Sequence, residues 1–260
     1  MRADAPTSFR TARVLGVTFF DGSVAAAVEQ LQQTRGYVVV PAAPALVKLR
    51  YDPEFRAALT EADMAIADSG LMVLLWKLLR GQRLSRISGL AYLKQLLAVP
   101  SVRGANATFW ILPTDAARDK AASWLHAGGL NVGDDRLYVA PRYEAAVADP
   151  ALLALLERLR PAQIIIAIGG GAQEKLARYL KLHCTFGPAI HCVGAALGFL
   201  TGDQVAIPDW ADRLYLGWLL RLFAQPRIFI PRLATAWRLP LMIIRYGSDL
   251  PPLRPPRHSG

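Results

Sequence analysis

Residues 163–178 read Gln-Ile-Ile-Ile-Ala-Ile-Gly-Gly-Gly-Ala-Gln-Glu-Lys-Leu-Ala-Arg, and no other stretch constrains the fold as strongly. Ile164, Ile165, Ile166 and Ile168 form an unbroken apolar run. Such a run suits a strand covered on both faces, as in parallel sheets. Gly169, Gly170 and Gly171 let the chain turn sharply and approach a ligand closely. From Gln173 and Glu174 onward the pattern is helical. A strand, a glycine turn and a helix N-terminus together suit an anion, because unpaired N–H groups and the helix dipole face it. The alternative is that the glycines only permit tight strand-to-helix packing. The spacing matches neither the dinucleotide fingerprint nor a P-loop.

The same alternation runs through the chain. Strands are predicted at Tyr37–Pro41, Met64–Asp68, Thr108–Leu112, Leu137–Ala140, Ile164–Ile168 and Ala189–Val193. Helices are predicted at Ser23–Thr34, Pro53–Glu61, Leu71–Leu79, Ala91–Leu97, Asp115–His126, Pro150–Arg158 and Gln173–Leu182. Alternating strands and helices predict an α/β fold with a largely parallel sheet flanked by helices. Ligands of such sheets sit at the carboxyl ends of the strands. Asp68 and Gly169–Gly171 fall at such ends.

The net charge of +10 in 260 residues points to an anionic partner: nucleic acid, anionic lipid or a phosphorylated substrate. Nucleic acid is disfavoured, because the C-terminal arginines alternate with large aliphatic residues rather than lining a polar face. Cys184 and Cys192 are too few for a disulfide framework and are read as ordinary buried thiols. His126, His183, His191 and His258 lack metal-ligand spacing and are read as structural or surface residues. No run of 18 apolar residues is free of charge, so no membrane span is expected. The N-terminus lacks the apolar segment and cleavage site of a secretory signal. Residues 1–12 are expected to be a flexible tail and residues 13–207 the core.

The character changes after Pro208. Arg213, Arg221, Arg227, Arg232, Arg238 and Arg245 lie among Trp210, Trp218, Trp237 and aliphatic runs. Apolar faces edged by arginine suit helices lying in a membrane interface. The alternative is a helical pair packed on the sheet with its arginines in water. Residues 208–248 are expected to be an amphipathic helical appendage and residues 249–260, rich in proline and arginine, a disordered tail.

Three polar positions stand out. Asp68 in Ala-Ile-Ala-Asp-Ser-Gly is placed for general-base work or ribose binding, or is a helix N-cap. Arg86 in Ser-Arg-Ile-Ser-Gly offers paired donors to phosphate, or is simply solvated. Ser88 is an N-cap or a phosphate contact. At the glycine turn, Gln173 is suited to a sugar hydroxyl or phosphate oxygen, and Glu174 complements the helix dipole.

These pieces together resemble the bacterial WecG/TagA/CpsF glycosyltransferases, glycosyltransferase family 26, from about Val14 to Tyr246. The matching segments are Asp52-Pro53-Glu54-Phe55-Arg56, Ala62-Asp63 leading to Asp68, Arg86-Ile87-Ser88-Gly89, Gly171-Ala172-Gln173-Glu174-Lys175 and Gly194 through Gly202. Gly217-Trp218-Leu219-Leu220-Arg221-Leu222 with Pro226-Arg227 resembles the C-terminal segment. The resemblance implies a Rossmann-like core with a C-terminal membrane-binding appendage. It implies transfer of a sugar from a UDP-sugar to a polyprenyl-diphosphate-linked acceptor, at the cytoplasmic face of the membrane, in exopolysaccharide, capsule or related glycan synthesis. It assigns Asp68 as general base, Arg86 to phosphate and Gln173 to donor or acceptor. Arg221, Arg227 and Arg232 approach the diphosphates from the appendage. No cofactor is implied, and no Asp-x-Asp element requires a metal. Homo-oligomerisation is left open.

The departures cluster near the expected sugar pocket. The family's Thr-x-Asn pair after the first core strand is replaced by Val40 and Ala42. The usual Asp-Gly is Asp68-Ser69-Gly70, and a Gly-x-Pro-x-Gln-Glu motif is shortened to Gly171-Ala172-Gln173-Glu174. These losses raise a second reading, a non-catalytic subunit that binds nucleotide-sugar, lipid-linked glycan or a partner enzyme.

Overall fold

The computed structural model describes residues 9–144, 146–203, 227, 230 and 234–254. Eight strands form one sheet: β1 (Arg10–Val14), β2 (Val17–Asp21), β3 (Gly36–Val39), β4 (Met64–Ala65), β5 (Thr108–Leu112), β6 (Leu137–Val139), β7 (Gln163–Ile166) and β8 (Ala189–Cys192). Their order is β1-β2-β4-β3-β8-β7-β5-β6, and all pairs are parallel except β1 with β2. The helices are α1 (Val24–Thr34), α2 (Ala43–Val47), α3 (Pro53–Thr60), α4 (Gly70–Arg80), α5 (Gly89–Ala98), α6 (Asp115–Ala127), α7 (Pro150–Leu159), α8 (Ala172–His183), α9 (Ala196–Leu200) and, among the described C-terminal residues, α10 (Leu239–Tyr246).

The isoleucine run behaves as a doubly covered strand should. Ile164 and Ile166 face a core shared with α2, α3, α4, α7, α8 and α10. Ile165 faces the other core, shared with α1, α5, α6 and α9. Every residue of β5, β7 and β8 is buried. Side-chain caps start several helices where the sequence supplies them: Ser23 for α1, Asp52 for α3, Thr114 for α6 and Asp149 for α7.

The expected tails are corrected at both ends. Residues 10–12 belong to β1, an edge strand whose Arg10 and Arg13 point to solvent. Alternation in this hairpin is masked on the edge side, which is why it read as a loose tail. The chain after α10 lies along the core: Leu15 and Gly16 N–H groups donate to Gly247 and Ser248 carbonyls at 2.9 and 3.0 Å. Arg56 donates to the Pro251 carbonyl, and the Arg254 N–H donates to Arg50 O at 2.8 Å. Residues 249–254 are therefore ordered against the body.

Most of the expected segment 208–248 lies outside the described residues. Its last helix, α10, packs on α4 and α2. Leu239, Met242 and Ile243 are buried, at the spacing of one helix face. Leu241 and Ile244, 70% and 57% exposed, form the opposite face, and Trp237, 81% exposed, lies in the turn just before the helix. Among the described residues no helix is long and apolar enough to cross a membrane.

After β3 the chain passes to α2 and α3 on one face of the sheet, and after β8 it passes to α9 on the other. The connections therefore part at the carboxyl ends of this neighbouring pair, where sheets of this kind form a crevice.

Candidate active site

Asp68 lies just beyond β4, where the chain still follows the sheet. The Ile66 N–H donates to Val39 O at 3.0 Å, and the Ile87 N–H donates to Ala67 O at 3.2 Å. The loop before α5 is thereby laid beside Asp68. The Asp68 Oδ1 accepts the Gly89 N–H at 3.0 Å, and the Arg86 Nε–H donates to the Asp68 backbone carbonyl at 2.8 Å. Asp68 and Arg86, 18 residues apart in sequence, are held side by side.

The N-cap alternatives separate cleanly. Ser69, not Asp68, caps α4, its Oγ accepting the Met72 N–H at 3.3 Å. Ser88 caps α5 by accepting the Ala91 N–H at 3.1 Å. The Asp68 carboxylate is free of that duty, and Oδ2 has no hydrogen-bond partner among the described residues. Gly89 places the start of α5 over the β3–β8 crevice. A methyl there would sit 3.5 Å from Val40 Cγ1 and 3.6 Å from the Val193 carbonyl.

The glycine turn follows β7 and is only partly free to bind an anion. Gly171 has φ +104°, a conformation side chains rarely adopt. Among the described residues a Cβ on Gly169 or Gly170 would meet no atom within 4 Å, so packing against them does not explain those two glycines. The Gly171 N–H is already spoken for, donating to Glu174 Oε2 at 2.6 Å.

The Gln173 side chain is held by neighbours in the protein. It is 3% exposed, its Nε2 donates to Glu174 Oε1 at 3.0 Å, and its Oε1 accepts the Gly194 N–H at 2.9 Å. Both ends of the amide are occupied within the protein. Glu174 is 1% exposed. Burial pushes its carboxyl up, while hydrogen bonds from Gln173 and Gly171 and the charge of Lys48 act the other way.

Lys48, which the sequence reading passed over, is an exposed cation beside the turn, its Nζ 3.5 Å from where a Cβ on Gly171 would stand. A lone lysine in Leu-Val-Lys-Leu-Arg carries no local signal; only the fold sets it beside Gly171. Arg227 is exposed, and Arg221 and Arg232 lie outside the described residues.

The histidines and cysteines stay away from this chemistry. His191 is fully buried; its Nδ1 meets the Tyr92 hydroxyl at 2.9 Å and its Nε2 meets Gln163 Oε1 at 2.8 Å. Burial holds its pKa down at about 3, so the ring is neutral and structural. His126 and His183 are exposed, and His258 lies outside the described residues. Cys192 is buried in β8, whereas Cys184 is only half-buried at the end of α8, a correction to the reading of two buried thiols. Among the described residues no three His, Cys, Asp or Glu side chains gather as metal ligands.

An eight-stranded, mostly parallel sheet with an aspartate and a glycine turn at its carboxyl edge agrees with the sequence model of the Glycosyl transferase WecG/TagA/CpsF family, which matches residues 12–250. The chain belongs to this family. Membership in the WecG/TagA/CpsF family makes it glycosyltransferase-like, on a mixed α/β fold flanked by helices. No curated protein matches the chain. Within the family frame Asp68, Arg86, Ser88 and Gly89 form one cluster at the end of β4, and the glycine turn with Lys48 forms another at the end of β7. β3 and β8 lie between them.

Proposed function

We propose that this chain transfers a sugar, an N-acetylhexosamine or hexose, from a UDP-sugar to a polyprenyl-diphosphate-linked acceptor during synthesis of a bacterial surface glycan. The observation that carries the reading is the Asp68 carboxylate. One oxygen is pinned by the Gly89 N–H and the other has no partner among the described residues. A carboxylate so held is oriented to accept a proton from an acceptor hydroxyl as that oxygen attacks the anomeric carbon. The leaving nucleoside diphosphate gains charge in that step and needs cationic and N–H partners. Arg86, Lys48 and the turn at Gly169 and Gly170 are suited to supply them, with Ser88, Arg221, Arg227 and Arg232 as further contacts.

A lipid-linked acceptor calls for a membrane-facing surface. Trp237, Leu241 and Ile244 of the α10 region, with Leu78 of α4 at 80% exposure, present large apolar side chains to solvent. Lys77, Arg80, Arg238 and Arg245 lie in the same two segments. Apolar side chains mixed with cations favour an anionic leaflet. We place the enzyme, on this reading, at the cytoplasmic face of the membrane as a peripheral protein.

The test is a donor screen with purified protein, UDP- and GDP-sugars and a short polyprenyl-diphosphate-GlcNAc acceptor, read by mass spectrometry. A mass gain of one sugar supports the reading. Nucleotide binding without product under every donor and acceptor supports the non-catalytic subunit instead. One observation favours that second reading: Val40, in place of the family's threonine, presents a methyl toward Gly89 at the crevice, so this edge is apolar where the family is polar.

A further inference from the structure

Gln173 and Glu174 form a hydrogen-bonded chain whose directions are fixed at both ends. The Gly171 N–H donates to Glu174 Oε2, Gln173 Nε2 donates to Glu174 Oε1, and the Gly194 N–H donates to Gln173 Oε1. The two terminal donors are backbone groups that cannot reverse. Between them stands one amide, which supplies one donor and one acceptor along the chain. The remaining member must accept at both of its end atoms, which a carboxyl group can do and an amide cannot. Replacing one Glu174 oxygen by NH2 sets a donor against a donor, and one of the three bonds is lost wherever the mismatch is placed. Lys48 from the segment after α2 and Cys192 from β8 are the ionisable side chains acting on Glu174 among the described residues. Burial pushes the Glu174 carboxyl up, and the lysine charge acts against it.

The chain has a structural consequence for the site. Gly171 belongs to the turn after β7 and Gly194 to the turn after β8, with φ +104° and +54°. Both are strand ends bordering the crevice. A Cβ on Gly194 would press within 3.4 Å of Gln173 Nε2, so that side chain fills the space between the two turns. We propose that Gln173 and Glu174 are positioning residues: a buried tie that locks the β7 glycine turn to the β8 turn, with Gln173 touching neither donor nor acceptor. The inference uses the glycosyltransferase reading only for what the turns bind.

The directions of the chain supply their own test. The single variants Q173E and E174Q each break it, one by facing two carboxylates, the other by facing two NH2 groups. The double variant Q173E/E174Q restores it, because the amide at position 174 accepts from Gly171 and donates to a carboxylate at 173, which accepts from Gly194. Amide hydrogen exchange at Gly171 and Gly194 is the readout independent of turnover. In the wild type both amides are protected relative to Gly169 and Gly170; each single variant loses protection at one or both, and the double variant regains it. Transfer, assayed well below the melting temperature, follows the same order. Each single variant loses roughly 10- to 100-fold in kcat/KM, the loss falls mainly on donor KM, and the swap recovers most of it.

A double variant no better than the worse single overturns the proposal and returns Gln173 to direct ligand contact. Rapid exchange of both amides in the wild type overturns it without any variant, should the variants fail to fold. Protection that follows the predicted order in a protein showing no transfer keeps the tie and sinks the transferase reading, so the two failures are distinct.

Discussion

Asp68→Asn separates chemistry from architecture, because the bond that holds the side chain survives the change. The Asn Oδ1 still accepts the Gly89 N–H at the 3.0 Å position. What is lost in the fold is the extra strength of a charged acceptor and its favourable field at the start of α5, together about 1 kcal/mol. In a chain of this size that lowers the melting temperature by about 2–4 °C, and against a total stability of about 5–15 kcal/mol the protein stays folded at the assay temperature. What is lost in catalysis is the proton acceptor, worth about 10²- to 10⁴-fold, or about 3–5 kcal/mol of barrier at 1.36 kcal/mol per decade. The catalytic loss thus exceeds the stability loss several-fold. The assay is steady-state transfer with the donor identified by the screen, beside thermal unfolding and UDP binding by calorimetry. The expected result is a fall in kcat with nucleotide affinity unchanged. Lys48→Ala is the contrasting control: the exposed lysine raises donor KM and leaves kcat near the wild type. An Asp68→Asn enzyme within threefold of wild-type kcat refutes the base assignment. A melting temperature lower by more than about 10 °C refutes the claim that its architecture survives.

Further outcomes follow from individual positions. Gly171→Ala is destabilising by about 1–3 kcal/mol, because φ +104° strains any side chain, whereas Gly169→Ala, with no described neighbour within 4 Å, leaves stability unchanged and weakens nucleotide binding; chemical denaturation and calorimetry read the pair. Buried neutral His191 makes stability fall as pH drops from about 6.5 towards about 3, since the unfolded chain takes the proton first. The slope it contributes is about 1.4 kcal/mol per pH unit, and urea titrations of His191→Gln should show a flatter profile over that window. Trp237→Ala with Leu241→Glu should reduce co-sedimentation with anionic vesicles and leave the melting temperature unchanged, both side chains being exposed; retained binding would remove this face from the membrane reading. Truncation after Pro208 is the poorer test, because it also strips buried Leu239, Met242 and Ile243 from the core.

The sequence by itself determined the α/β class, most of the parallel strands, and the placing of Asp68 and the three glycines after strand ends. These are written in local signals: an apolar run too continuous for a one-sided sheet, serine and aspartate caps at helix starts, three glycines at a strand end. Thr108–Leu112 is the same strand in sequence and structure. Met64–Asp68 shortens to two paired residues: beyond Ala65 the Ile66 N–H still reaches β3 at Val39 O, but the Asp68 N–H turns back to Ile66 O.

The tertiary structure alone decided what each polar group does. Whether Asp68 or Ser69 caps α4 depends on backbone direction after a two-residue strand. The partner of Gln173 Oε1 is the N–H of Gly194, 21 residues away. Lys48 reaches the glycine turn only because α2 and the start of α8 lie on the same side of the sheet. The tail after α10 is ordered because hairpin amides at Leu15 and Gly16 need acceptors and find them at Gly247 and Ser248. Periodicity and capping act within a few residues and are legible in one dimension. A hydrogen-bond partner far along the chain is chosen by which surfaces the sheet brings together, and no local pattern encodes it.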